Sequence, residues 1–368
     1  MSNKPLNLSI AVNGRYRLHR ITGVQRYAHE VVSRLEVLLG PKINVIAPKS
    51  AKGPAGHLWE QTTLAIASRG RLLWSPCGTG PAYYGRQVVT FHDLFPLEHP
   101  EWYGPTYAKW YRALIPRIAK GPVHLIAVSE YTKSRLVKLL GRNPDDITVI
   151  PNGLTTGCTR EGSDRIAAAA KGLRLPSRRY VLSLSSLEKR KNLRTTLKAW
   201  ARIHSQLPQD TWLVLAGPEA DTTVYGSQEL PINLPRVHFT GYVPEEHLAG
   251  LYSGASVFVY PSLAEGFGLP LLEAMACGLR SITSNNTSLP EVGGDAVRYV
   301  NALDEAALGE LIRLELLACD GLPYLPAIER AKRFSWDHAA KRTWSLLQTA
   351  HLAQYARRSF REREDYAI

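Results

Sequence analysis

The chain has only four cysteines in 368 residues: Cys77, Cys158, Cys277 and Cys319. None forms a C-x-x-C pair or a Cys/His spacing suited to zinc, so a disulfide framework and a sequence-encoded metal site are both excluded. They read as reduced packing residues of a cytosolic protein. No uninterrupted apolar run approaches the roughly 18 residues that a membrane-spanning helix needs. The N-terminus passes from a polar start into a strand-like run without the charged head, apolar centre and cleavage site of an export signal. G-x-G-x-x-G and G-K-[ST] are absent, which removes the basis for dehydrogenase or P-loop chemistry. No D-x-D segment offers a metal site, and no cofactor is expected.

Acidic residues are in deficit, 32 against 45 Lys plus Arg, for a net charge of +13. The surplus suits an anionic partner such as nucleic acid, a phosphate-bearing substrate or an acidic lipid surface, and equally a solvated basic surface. The basic residues are dispersed and lack interleaved aromatic platforms, which argues against nucleic acid. Gly (28) and Pro (24) are spread along the chain, so no low-complexity arm is expected. The length and the 45% hydrophobic content suit two domains, each with its own core.

Apolar runs alternate with helical stretches in both halves, which favours parallel sheets covered by helices. The first half gives runs at 6–12, 24–39, 43–47, 87–91, 107–119, 124–128, 131–140 and 147–150. Val24, Tyr27, Ala28, Val31, Val32 and Leu35 recur mostly at three- and four-residue intervals, as one helix face does. The second half repeats the rhythm at 180–184, 193–203, 212–216, 237–239, 245–253, 257–260, 269–276 and 280–283. The turn Pro151-Asn152-Gly153 and the Leu175-Pro176-Ser177 stretch bracket the domain boundary. Residues 161–172 are expected to form a connecting helix. The expected division is 1–160 and 175–338, with an amphipathic helix over 339–368 packed on a domain. Its apolar set is Trp344, Leu346, Leu347, His351, Leu352 and Tyr355.

Four segments could carry chemistry. In Glu265-Gly-Phe-Gly-Leu-Pro-Leu-Leu-Glu273 a loop follows a strand and runs into a helix, with Pro270 in the first turn and Gly278 past the end. Glu273, expected in the first turn of an otherwise apolar helix, needs compensation; ligand hydroxyls could supply it, or it could simply cap the helix. Gly266 and Gly268 allow a polar ligand to approach the backbone N–H groups. Three adjacent cations, Lys189, Arg190 and Lys191, lie between a strand end and a helix start, where doubly wound proteins bind phosphates. Near the N-terminus, Gly23 and Val24 open the first helix after a strand-to-helix turn. His92-Asp93 follows a strand whose end faces the ligand crevice of such folds.

Together these segments resemble the retaining GT-B-fold glycosyltransferases of the large fourth family. The resemblance rests on Glu265 and Glu273 in an E-x7-E element, Pro290-Glu291-Val292, Arg190-Lys191-Asn192, Gly23-Val24, His92-Asp93, Ser129-Glu130-Tyr131, Pro151-Asn152-Gly153 and Thr240-Gly241-Tyr242-Val243-Pro244. It implies an α/β fold of two Rossmann-like doubly wound domains facing a central cleft, the N-terminal one binding the acceptor and the C-terminal one the nucleotide sugar. It also implies that Lys191 and Arg190 neutralise the leaving diphosphate, with Gly23 and Val24 nearby, and that Glu273 holds the ribose. Glu265 and the Gly266-Phe267-Gly268-Leu269 backbone would hold the sugar hydroxyls. Backbone at Tyr242 and Val243 would meet the base, and His92 would sit beside the sugar. Ser186 stands where many relatives carry a second phosphate-binding Arg, so Arg190 or Lys189 would have to substitute.

Residues 184–193 and 92–100 look most like bacterial mannosyl- or rhamnosyltransferases of O-antigen and capsule assembly. The implied donor is GDP-mannose, with GDP-rhamnose or a UDP- or ADP-sugar as alternatives, and the acceptor is a glycan or lipid-linked oligosaccharide. The expected location is cytoplasmic, with peripheral attachment to an anionic inner leaflet. A glycoside hydrolase, a nucleotide-sugar epimerase and a sugar-binding protein of the same architecture are the competing readings.

Overall fold

The computed structural model describes residues 9–50, 53–121, 124–184, 186, 188–218 and 234–365. Among them twelve strands form two sheets. The first is built from β1 (Ile10–Asn13), β2 (Ile43–Ile46), β3 (Leu72–Ser75), β4 (Gln87–Phe91), β5 (His124–Ala127) and β6 (Ile147–Val149). The order is β2-β1-β3-β4-β5-β6 and every pair is parallel. All residues of β1, β3 and β4 are buried, as befits parallel strands covered on both faces. The helix Gly23–Leu39 buries Tyr27, Ala28, Val31, Val32 and Leu35, the stripe visible in the sequence.

The second sheet is built from β7 (Arg179–Leu184), β8 (Thr211–Ala216), β9 (Val237–Gly241), β10 (Val257–Tyr260), β11 (Ser281–Ser284) and β12 (Arg298–Val300). Its order, β12-β11-β10-β7-β8-β9, is again wholly parallel. Leu193, Leu197, Trp200 and Ile203 of helix Leu193–Ile203 share a core with Leu308 and Ile312 of helix Glu305–Leu317 and with Val181, Leu213 and Val257 of the strands.

Strands β3 and β12 and helix Glu305–Leu317 have no counterpart in the sequence reading. In β3 the apolar run is only Leu72, Leu73 and Trp74, and in β12 one residue of three is buried, so neither shows a strand period.

The chain forms two units, 1–94 with 110–153 and 335–368, and 95–109 with 154–334. This differs from the division at 160, 175 and 338 expected from sequence. The first unit's chain stops at Gly153, whose missing Cβ makes room for the backbone N of Trp336 in the returning chain. The helix expected over 161–172 is present as Ser163–Gly172 and packs within the second unit on Glu245–Gly254; a Cβ on Gly250 would collide with Arg165 O at 2.7 Å. Residues 95–109 join the second unit, where the Arg190 guanidinium lies 5.7 Å over the Phe95 ring.

The last helix, Trp336–Asp365, belongs to the first unit and packs on Gly23–Leu39, with Arg34 Nε 2.6 Å from Asp337 Oδ1. Its buried face is Trp336, Ala339, Ala340, Thr343, Leu347, Ala350 and His351, spaced as a helix stripe. Leu352, expected on that face, is exposed; alanines take the inward positions because they let the helix approach closely. Among the described residues no helix is long and apolar enough to cross a membrane.

Candidate functional site

In the second sheet the chain runs from β7 outward to β8 and β9, then returns to place β10 on the other side of β7. At such a switch point the loops leaving neighbouring strands diverge and open a crevice at their carboxyl ends. The loop after β7 carries Ser186, Glu188, Arg190 and Lys191; the loop after β10 carries Glu265 to Gly268. Sequence segments some 75 residues apart are thereby joined: Arg190 to Glu265 and Lys191 to Glu265.

The centre is the Glu265 carboxylate. Its Oε1 accepts from Lys191 Nζ at 2.9 Å and from the Tyr260 hydroxyl at 2.7 Å, and its Oε2 accepts from Arg190 Nη1 at 2.6 Å. Lys191 Nζ also donates to the Tyr260 oxygen at 2.7 Å, so Tyr260 accepts from one partner and donates to the other. Burial alone would raise the Glu265 pKa, but Arg190 and Lys191 outweigh it and hold it at about 2. Burial, and then the neighbouring Arg190, lower the Lys191 pKa against the attraction of Glu265. Burial and the Glu265 charge keep Tyr260 protonated by raising its pKa well above the ordinary value.

Arg190 is occupied differently from Lys191. Besides Glu265 it donates to Ala264 O at 3.1 Å and pairs with Glu188 Oε2 at 3.0 Å. Ser186 in turn donates to Glu188. Arg190 thus lies between two carboxylates, Glu188 and Glu265, and Ser186 hydrogen-bonds to the first of them. Lys191 has three N–H groups, and Tyr260 and Glu265 take two of them. Asn192, at φ +56°, turns the chain into the next helix and ties the two loops together, its amide donating to Pro261 O at 2.9 Å and Ala302 O at 2.6 Å.

Glu273 is the fifth residue of the helix Leu269–Ala276, not a first-turn residue as expected. Pro270 and Leu269 occupy the first positions, which shifts Glu273 one turn inward. Its carboxylate, 5% exposed, accepts from Thr155 and, at 3.1 Å, from the Tyr252 hydroxyl. Beside it, Cys158 and Cys277, isolated in sequence, bring their sulfurs to 3.8 Å as free thiols. Gly268 has φ +106° and no room for a Cβ beside Leu289, so the loop conformation requires glycine there. Phe267 is buried edge-on against Phe334. Leu269 is likewise buried, while Tyr242 is 59% exposed at the carboxyl end of edge strand β9. Two strand spacings, about 10 Å, separate β9 from β7.

Gly23, Val24 and His92 belong to the first unit. Gly23 is exposed and begins its helix; Val24 is its second residue. His92 Nε2 lies 2.8 Å from Pro76 O, and its ring meets Tyr27 edge-on at 4.9 Å. Burial lowers its pKa to about 4, against the pull of the Pro76 carbonyl, so the imidazole is neutral with Nε2–H donating to that carbonyl. Nδ1 is then its acceptor atom.

Sequence reasoning did not find Tyr260, Glu188, Thr155 or Tyr252. Tyr260 had a signal: it ends a strand five residues before Glu265. Thr155 and Tyr252 are brought to Glu273 by folding across separate segments, whereas Glu188 adjoins the three cations, two residues before its partner Arg190.

Two parallel, doubly wound units with this site at a strand-order switch define a GT-B-type α/β protein. The pattern described as "Glycosyl transferases group 1" matches residues 164–317, and "Glycosyltransferase Family 4" matches residues 66–157. The chain is 30% identical over 274 residues to "O-antigen chain mannosyltransferase B" of Escherichia coli, covering 72% of each chain. In fold it is similar to sucrose-phosphate synthase from Thermosynechococcus elongatus, with a TM-score of 0.73 at 20% identity over 94% of this chain and 99% of that one. It is similar also to Anabaena HepE in complex with UDP and glucose, with a TM-score of 0.69 at 16% identity over 93% and 99%. The chain belongs to the family 4, group 1 glycosyltransferases and has their two-domain fold.

Proposed function

We propose that this glycosyltransferase moves mannose from GDP-mannose onto a glycan or lipid-linked acceptor in O-antigen or capsule synthesis, with retention at the anomeric carbon and without a metal. The observation that carries the reading is the Lys191–Glu265–Tyr260 cluster at the switch point of the second sheet. The mannosyl assignment is supported by the relative named an O-antigen chain mannosyltransferase. GDP-rhamnose or a UDP- or ADP-sugar is the alternative donor.

In this reading the remaining N–H of Lys191 meets a phosphate oxygen, and its charge stabilises the diphosphate as the bond from the anomeric carbon breaks. Glu265, ionised at every working pH, accepts from a sugar hydroxyl, while the Gly266-Phe267-Gly268 backbone approaches the same sugar. Arg190 holds Glu265 in place. Glu273 takes the ribose, and Tyr242 and Val243 the base. The acceptor oxygen bonds to the anomeric carbon from the side of the departing phosphate, and its proton passes to a phosphate oxygen. For Gly23, Val24 and His92 the family resemblance alone carries the role.

A glycoside hydrolase would need one of Glu265 and Glu273 as a general acid. A carboxyl held at about 2 is poorly suited to donate a proton near neutrality, which leaves Glu265 as an acceptor. The test is incubation with GDP-mannose and an oligomannoside acceptor, with the new anomeric centre read by proton NMR. A lengthened glycan with α configuration and free GDP supports the proposal. An inverted product, epimerised donor, or hydrolysis of a simple mannoside without nucleotide counts against it.

A further inference from the structure

Besides its ties to Arg190 and Asn192, the loop that carries Glu265 is held by one short segment, residues 284–288, from the last residue of β11 to the start of the helix Leu289–Gly293. Ser284 Oγ donates to Ser262 O at 2.6 Å and Asn286 Nδ2 to Leu263 O at 2.9 Å. Thr287 Oγ1 accepts from the Glu265 N–H at 3.0 Å. Ser288 Oγ, fully buried, lies 2.8 Å from Glu265 O and 2.9 Å from Phe267 O. The backbone of Glu265 is therefore fixed on both its N–H and its C=O, independently of the ion pairs that hold its carboxylate.

Thr287 is the unusual member. Its φ is +53°, in the left-handed region that a β-branched residue rarely adopts. Strain of this kind persists where the surroundings over-determine the conformation, and it gathers at functional sites. Glycine or asparagine would occupy the position with less strain, but glycine has no hydroxyl to offer, and the hydroxyl is what reaches Glu265.

We propose that Thr287 is a positioning residue for sugar transfer: its strained backbone aims Oγ1 at the Glu265 N–H and so sets where the Glu265 carboxylate presents itself to the sugar. The inference rests on the reading of Glu265 as a sugar ligand.

The experiment compares wild type with Thr287→Gly and Thr287→Ser in donor turnover, thermal melting and amide exchange at Glu265. Thr287→Gly relieves the φ strain, so its melting temperature is expected to equal or exceed that of wild type. Its kcat is expected to fall about tenfold with the donor KM changed less than about twofold, as for an interaction felt at the transition state. The Glu265 amide is expected to exchange faster. Thr287→Ser keeps the oxygen and is expected to restore both kcat and amide protection. Wild-type kcat in Thr287→Gly, a loss that tracks a lowered melting temperature, or no rescue by serine would overturn the proposal. Wild-type protein that turns over no nucleotide sugar would instead overturn the underlying reading, and the proposal with it.

Discussion

Lys191 and Glu265 meet at 2.9 Å, Nζ to Oε1, although one leaves the first strand of its sheet and the other the fourth. The pair is nearly sealed from solvent, with side-chain exposures of 11% and 7%. Removing either partner from such a pair leaves a buried charge with one fewer neighbour, so the two variants differ in kind.

For Lys191→Ala, Glu265 keeps Arg190 and Tyr260, and the fold should survive. What is lost is the cation assigned to the leaving diphosphate. Steady-state kinetics should show kcat lower by about 10²- to 10³-fold, in the range for removal of one preorganised electrostatic donor. A change in KM alone would remove Lys191 from the bond-breaking step.

Glu265 makes stability depend on pH. Its folded pKa, about 2, lies below the ordinary 4.5. The contribution is therefore fully present above about pH 4.5 and is lost as the pH falls through 2. A shift of this size corresponds to something on the order of 3 kcal/mol. Urea unfolding at pH 5, 4 and 3 should show wild type losing stability faster than Glu265→Gln over that interval. Parallel losses in the two proteins would contradict the assigned ionisation.

His92 has its pKa lowered to about 4 from 6.5, chiefly by burial. Between these values the unfolded chain binds the proton more readily, so the His92 contribution is present above about pH 6.5 and declines as the pH falls toward 4. Nitrogen-15 NMR should find a neutral ring protonated at Nε2 from pH 5 to 8. A ring that titrates near 6.5 would contradict the contact with Pro76 O.

Gly153 marks the end of the first unit's middle segment. A Cβ there would lie 2.2 Å from Trp336 N and 2.6 Å from Trp336 Cγ, too close for side-chain adjustment to relieve. Gly153→Ala should cost roughly 1–3 kcal/mol by overpacking, read as a lower melting temperature. An unchanged transition would show that residues 335–336 do not pack there.

Much of the fold was legible because its signals are local. The stripe from Tyr27 to Leu35 announces its helix, and residues 257–260 and 269–276 end beside their breakers, Pro261 and Gly278. The two glutamates and the Arg190-Lys191-Asn192 turn pointed to the family in the same way. The partners of Arg190 and Lys191 were not legible, because both reach Glu265, and Lys191 reaches Tyr260, only through the β7–β10 pairing. Thr287 was hidden for a related reason: its strain is a backbone angle, and threonine carries no sequence mark of a left-handed turn. The return of the chain to the first unit at Ser335 was also not legible, since no break in composition accompanies it.

The most direct measurement is a calorimetric titration of GDP, UDP and ADP and their sugars into wild type, Lys191→Ala and Glu273→Ala. Tight binding of GDP and GDP-mannose by wild type, lost in both variants, is the predicted result. Binding that neither substitution weakens, or no binding of any nucleotide, would contradict the placement of the donor at the second sheet's switch point.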